Sequence, residues 1–371
     1  MSRVPEPAWI RADAPFPAPP AGAGGPGEVL LVSPDAESAV PLTAADRAAA
    51  VEVGAAVLAR AGVGPGDRVA VALNGDGEQT GPLVAEAAAA AGASAASLGP
   101  RGRMRLHRAL ESLAATVLVA TPTGALDLLA RMHAEFLVDP LDLGLRRILL
   151  AGEITGEHSR RQLAAEFDAE VADLFVDPLL QVPVACRDGS GGGLHQPRPG
   201  LVELAPPAKD EVLRAPYPAG TAELVTRPLW HSALEGAAVR TGFAAEAAEG
   251  ADLVPLPGYT VGDGVLVRGR RISLPRLERA LAPIDGIGSW ELRVSRPGTL
   301  DTAALHVSFI RESLVGNPMW TKRIEQALLA ATPVHIDVVT GAAGPDLPPG
   351  PASGSLTDER GHHLGRDRGA L

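Results

Sequence analysis

The chain has 371 residues, a formal net charge of −11 and 46% hydrophobic content. That is enough to bury a full core and more than one domain. With 21% charged residues and no basic cluster it is neither a disordered chain nor a nucleic-acid binder, since phosphates demand concentrated Lys and Arg. Cys186 is the only cysteine and Lys209 and Lys322 the only lysines. An intrachain disulfide and a thiolate metal cluster are thereby excluded, and a catalytic lysine has two candidate positions. No apolar run approaches the ~20 residues that span a bilayer. The proline-studded N-terminus lacks a signal-peptide core, so a cytoplasmic protein is expected.

In chain order, residues 1–28 read as a Pro/Gly-rich arm. Its Gly22-Ala-Gly-Gly-Pro-Gly27 matches a dinucleotide fingerprint in letters only, because it precedes the apolar run from Val29 instead of following a strand. Thr43 is placed to cap a helix from Ala44 to Arg60. A strand follows at 67–73, a helix at 83–91, a strand at 95–98, a helix at 103–114 and a strand at 116–120. The alternation continues with a helix at 125–135, a strand at 147–150 and a helix at 157–167. Strands and helices at this spacing predict a mostly parallel sheet covered on both faces. After about Asp173 proline and glycine become frequent, and runs such as 222–226 suggest antiparallel strands. From Gly264 a smaller unit is expected: a strand pair at 265–267 and 271–273, a helix at 274–281, strands at 290–294 and 304–309, a helix at 319–331 and a strand at 334–339. The predicted organisation is an arm (1–28), a large α/β domain (29–263), a small α+β, ferredoxin-like domain (264–346) and an unstructured tail (347–371).

Several stretches carry a family resemblance. Gly64-Pro-Gly-Asp-Arg-Val69, Thr116-Val-Leu-Val-Ala-Thr-Pro-Thr123, Ala151-Gly-Glu153, Pro183-Val-Ala-Cys186 with Gly193-Leu-His195, Thr221-Ala-Glu-Leu-Val-Thr226, and Arg268-Gly269 with Pro275 and Glu278 occur in one order. Together they resemble the phenylacetate–coenzyme A ligases, a branch of the adenylate-forming (AMP-binding) enzymes, here N-terminally truncated by about ninety residues. The resemblance implies a large and a small domain joined at a hinge near Asp263, and an acid–coenzyme A ligase that uses ATP, Mg²⁺ and coenzyme A. It places the ligand pocket at Thr121, Pro122, Gly152, Glu153, Asp177, Arg240, Thr241 and Phe243.

The nucleotide elements depart from the family pattern. The phosphate loop corresponds to Val32 through Pro41, which has no glycine, loses an amide donor at Pro34 and carries Asp35 and Glu37. The adenine and magnesium segment falls at Phe175-Val-Asp-Pro-Leu179, with Asp177 two residues from the expected carboxylate. The ribose-binding Asp of the family's Arg-Thr-Gly-Asp is Phe243, and a phenyl ring has no acceptors for a ribose. The catalytic lysine near the family's C-terminus has no counterpart. The expectation is a ligase-fold protein that has lost adenylation, with no cofactor required unless the ligase activity survives. No metal site is expected either, since Cys186 and His195 lack further partners. His195 and Cys186 remain candidates for a base and a nucleophile, against the alternative of a loop histidine and a packed thiol. Trp230 and His231 are candidate pocket or core residues, and Arg268, Arg270 and Arg271 form a local basic patch. Three readings stay open: processing of an acyl or aryl thioester, an active ligase, and a non-catalytic partner-binding protein. A carrier protein and a homodimer are compatible partners.

Overall fold

A computed structural model describes residues 7–12, 29–32, 39–73, 79–99, 102–136, 138–188, 192–342 and 353–370. The chain divides into two compact units, Met1–Gly258 with Arg368–Leu371 (unit 1) and Tyr259–Asp367 (unit 2). Among the described residues no helix is long and apolar enough to cross a membrane.

Unit 1 opens with strand β1 (Ala8–Arg11), followed by β2 (Val29–Val32) and β3 (Ala39–Leu42), which pair as an antiparallel ribbon. Helix α1 (Ala44–Arg60) starts where the sequence predicts. Thr43 Oγ1 accepts from Asp46 N at 3.0 Å and Asp46 Oδ2 from Thr43 N at 3.1 Å, a reciprocal cap that satisfies two orphan amides. There follow β4 (Arg68–Ala72), α2 (Thr80–Ala90), β5 (Ser94–Ser97), α3 (Arg103–Leu113), β6 (Val117–Ala120), α4 (Pro122–Arg131), β7 (Arg147–Ala151), α5 (Glu157–Phe167), β8 (Glu170–Val176) and β9 (Pro183–Arg187). The six-stranded sheet runs β5-β4-β6-β7-β8-β9, parallel throughout except for β9. Successive side chains of β6 explain the two layers of helix. Leu118 packs with Leu106, Leu110, Leu128 and Leu163, whereas Val117 and Val119 pack with Val57, Leu58 and Val84. A strand buried on both faces needs this continuous apolar run.

Strands β10 (Val202–Ala205), β11 (Gly220–Thr226) and β12 (Ala237–Ala247) form an antiparallel sheet in the order β1-β12-β11-β10, with β1 parallel to β12. Residues 8–11, read from sequence as arm, are therefore a sheet edge. A four-residue strand among prolines carries no periodicity of its own, and its partner lies far along the chain. The glycine fingerprint at 22–27 and positions 33–38 of the phosphate-loop equivalent lie outside the described residues.

Unit 2 begins with β13 (Tyr259–Thr260) and continues with the hairpin β14 (Gly264–Val267) and β15 (Arg270–Ser273), helix α6 (Leu274–Leu281), β16 (Ile287–Ser295), β17 (Thr302–Phe309), α7 (Pro318–Ala331), β18 (Asp337–Ala342) and β19 (Ser353–Asp358). The sheet order is β18-β17-β16-β19. The inward residues of β16 and β17, among them Trp290, Leu292, Leu305 and Val307, pack with Leu277 and Leu281 of α6 and Ile324 and Leu328 of α7. Strand β19 falls in the segment read as an unstructured tail. It pairs in parallel with β16, and Arg360 just beyond it binds the buried Asp301 at 2.6 Å and Asp358 at 2.8 Å. Its order comes from distant partners, which local composition does not reveal.

Candidate functional site

The parallel sheet presents the ends of β6, β7 and β8 along one edge, where ligands bind in open α/β sheets. After β6, Thr121 caps α4: its Oγ1 accepts from Gly124 N at 3.1 Å, and Pro122 takes the first helical position, where its missing amide costs nothing. After β7, Gly152 has φ +81°, the left-handed region that favours glycine. That turn brings Glu153 to the same helix start. Its Oε2 accepts from Thr123 N at 3.0 Å and its Oε1 from Thr123 Oγ1 at 2.8 Å. Thr121, Pro122, Gly152 and Glu153 thus stand together, and the first amides of α4 are turned to Thr121 and Glu153.

After β8, Asp177 is fully buried. Its Oδ1 accepts from Leu179 N at 2.8 Å and Leu180 N at 2.6 Å, and its Oδ2 accepts from the Thr226 hydroxyl at the end of β11. Burial pushes its pKa up, against these hydrogen bonds, which hold it down. The carboxylate ties the β8–β9 turn to the second sheet.

On β12 the Arg-Thr-Gly-Phe segment is equally engaged. Arg240 donates from Nε to Asp210 Oδ1 at 2.9 Å, from Nη1 to Glu223 Oε2 at 2.8 Å, and from Nη2 to the carbonyls of Pro206 (3.2 Å) and Lys209. Its guanidinium carbon lies 4.9 Å from the centroid of the Trp9 ring on β1. Thr241 Oγ1 donates to Leu224 O at 2.7 Å. Phe243 is buried and meets the ring of Phe175 edge-on, with centroids 5.9 Å apart and planes at 76°. The Phe175 and Phe243 segments are therefore neighbours, joined by an aromatic contact.

Cys186 and His195 face each other through the main chain, each amide donating to the other's carbonyl (3.0 and 2.7 Å). The thiol is buried and pushed up to about 11 by desolvation. It stays protonated at neutral pH, so the chemistry of a thiolate nucleophile is closed to it. His231 and Trp230 are both buried, and among the described residues neither the His231 ring nitrogens nor Trp230 Nε1 have a hydrogen-bond partner. In unit 2, Asp263 accepts from Arg366 Nε at 2.8 Å and its carbonyl accepts from Leu274 N at the start of α6. Arg268, of the basic patch, donates from Nε to Asp301 O at 2.6 Å. Among the described residues no group of His, Cys, Asp or Glu could hold a metal ion.

Sequence reasoning missed Glu223. It has no exposed surface, and it accepts from Arg240 Nη1, from Gly242 N at 2.9 Å and from Arg368 Nε at 3.1 Å. The signal available was an acid, Glu223, between Ala222 and Leu224, and an arginine, Arg240, after Val239, in adjacent strands; nothing local pointed to Arg368. The Phe243 side chain has no polar atom, and Arg240 and Asp177 are engaged in the hydrogen bonds given above.

The sequence matches no known family profile and no curated protein. The structure resembles solved ligases. A 2-hydroxyisobutyryl-CoA ligase in complex with 2-HIB-AMP and CoA, in its thioesterification state, shares 18% identity over 86% of this chain and 71% of its own, with a TM-score of 0.70. A malonyl-CoA ligase with methylmalonyl-CoA and AMP bound is 18% identical over 86% and 71%, with a TM-score of 0.60. A double mutant of o-succinylbenzoate CoA synthetase from Bacillus subtilis, bound to a product analogue, is 13% identical over 84% and 65%, with a TM-score of 0.62. The chain has the fold of the adenylate-forming acid–CoA ligases.

Proposed function

We propose that this protein is an acid–coenzyme A ligase relative that has lost ATP-dependent adenylation and handles an acyl or aryl group already carried as a thioester. The observation that carries this reading is the Phe243–Phe175 contact, an apolar pair at the position where the resemblance calls for a ribose-binding carboxylate. The engagement of Arg240 and Asp177 in internal hydrogen bonds supports it. The phenylacetate-like segments Pro183–Cys186 and Gly193–His195, which meet at the Cys186–His195 bridge, favour an aromatic acyl group. In this reading the donor is a coenzyme A or carrier-protein thioester, and the protein works in the cytoplasm of its cell on a biosynthetic route.

Calorimetry with ATP–Mg²⁺, then with aromatic acids and their coenzyme A thioesters, tests the proposal. Heat with a thioester and none with ATP is expected. Micromolar ATP binding with acid-dependent pyrophosphate release would replace it with the reading of an active ligase. Silence toward every small molecule would leave a partner-binding protein.

A further inference from the structure

Unit 2 holds a charge cluster of its own. Asp301, just before β17, is buried, and three arginines meet on it. Arg296 donates from Nε to Oδ1 at 2.7 Å and Arg360 from Nη1 to Oδ2 at 2.6 Å. Arg268 donates from Nε to the Asp301 carbonyl at 2.6 Å, and its amide lies 3.5 Å from Oδ2. Asp358 takes the remaining donors of Arg360, Nε at 2.8 Å and Nη2 at 2.9 Å, so that guanidinium is spent. Those of Arg268 and Arg296 are not. Each gives Asp301 only its Nε, and among the described residues their Nη groups have no hydrogen-bond partner. Arg268 is exposed and Arg296 partly so.

Three guanidiniums against two carboxylates leave one positive charge over. His362 lies in that field: burial first, then Arg360 and Arg296, push its imidazole below the ordinary value, against Asp358 and Asp301. The backbone adds a second sign. Arg268 and Gly269 have φ +50° and +73° in the two-residue turn between β14 and β15, where Asn-Gly is the natural pair. An arginine is strained there by its Cβ, and such strain persists where the side chain is put to use. We propose that Arg268 and Arg296 form a clamp for a phosphate dianion, free or as the end of a monoester. A single fork fills both oxygens of a carboxylate, whereas a tetrahedral phosphate has oxygens for two forks. Asp301 holds both arginines by Nε and is a positioning residue. The clamp is built within unit 2 and is independent of whether the protein takes a thioester.

Phosphorus NMR titrations of the full chain test it, with inorganic phosphate and with methyl phosphate at about pH 7.5, where both are mostly dianionic. Chloride holds the ionic strength constant, because exposed charges are screened by salt. Saturable binding is expected, weakened about tenfold or more in Arg296→Gln and in Arg268→Asn. Asn suits the left-handed turn, so Arg268→Asn should keep slow amide exchange in β16 and β17 while it loses the anion. Tighter binding of methyl phosphate assigns the clamp to a monoester, and tighter binding of inorganic phosphate to the free ion; either supports it. Acetate and dimethyl phosphate should displace the bound anion poorly. Binding that both variants leave unchanged overturns the clamp. So does displacement by acetate at equal concentration, and so does the absence of saturable binding by either phosphate.

Discussion

Phe243 stands edge-on to Phe175, with ring centroids 5.9 Å apart, and this contact joins β12 to β8. Edge-to-face pairs contribute ~0.5–1.5 kcal/mol beyond the area they bury. Phe243→Ala should therefore cost about 3–5 kcal/mol in a urea melt, as large-to-small core changes do. Phe243→Asp, which puts a carboxylate where the ligases that the sequence resembles have one, should destabilise further because it buries that carboxylate among apolar groups. It should not produce ATP binding in calorimetry, since Arg240 and Asp177 stay engaged. Gain of ATP binding in that variant would show that one side chain alone closes the site.

Glu223 and Asp210 both pair with Arg240, but in different surroundings: the Glu223 side chain is 0% exposed and that of Asp210 56%. Glu223→Gln should cost on the order of 3–5 kcal/mol, because two buried arginines lose their carboxylate. Asp210→Asn should cost less than about 1 kcal/mol, as screened pairs do. Denaturant midpoints of the two variants check the contrast, and equal losses would contradict it.

His231 is buried with no hydrogen-bond partner for its ring among the described residues, and burial lowers its pKa from 6.5, partly opposed by Asp46. The unfolded chain then binds a proton near pH 6.5 that the folded chain refuses. Stability should accordingly fall as pH drops below 6.5. His231→Gln, neutral at every pH, should flatten the melting temperature between pH 5 and 6.5 (roughly the window of an ordinary imidazole). An unchanged slope would assign the effect to other groups.

Cys186 is 0% exposed and its thiol is pushed up to about 11. Alkylation at neutral pH, followed by intact mass, should find no adduct on the native protein and a single adduct in denaturant. Rapid modification of the native protein would contradict the buried, protonated thiol.

Local chemistry was legible and distant pairing was not. Thr43 and Asp46 announce the start of α1 three residues apart, and the helix begins there. The apolar runs of β4, β6 and β7, each followed by a helix, carry the parallel sheet in the letters themselves. Strands β1 and β19 carry nothing comparable, since each is ordered by a strand far along the chain. That Thr121 and Glu153 stand near one another was legible because each follows a strand readable in the sequence. Glu223 and Arg368 are 145 residues apart, and no periodicity links them. Phe243 could be read as a missing carboxylate, but its contact with Phe175 depends on which face of each strand the rings leave.

Arg240 touches three stretches of chain besides its own strand: Trp9, the Pro206–Asp210 loop and Glu223. A guanidinium at this point is a keystone of the second sheet before it is anything to a ligand. This chain needs a cation there to answer the buried Glu223, whatever it binds. The Arg240-Thr241-Gly242 stretch therefore serves first as a joint, through Arg240 and the Gly242 amide on one carboxylate.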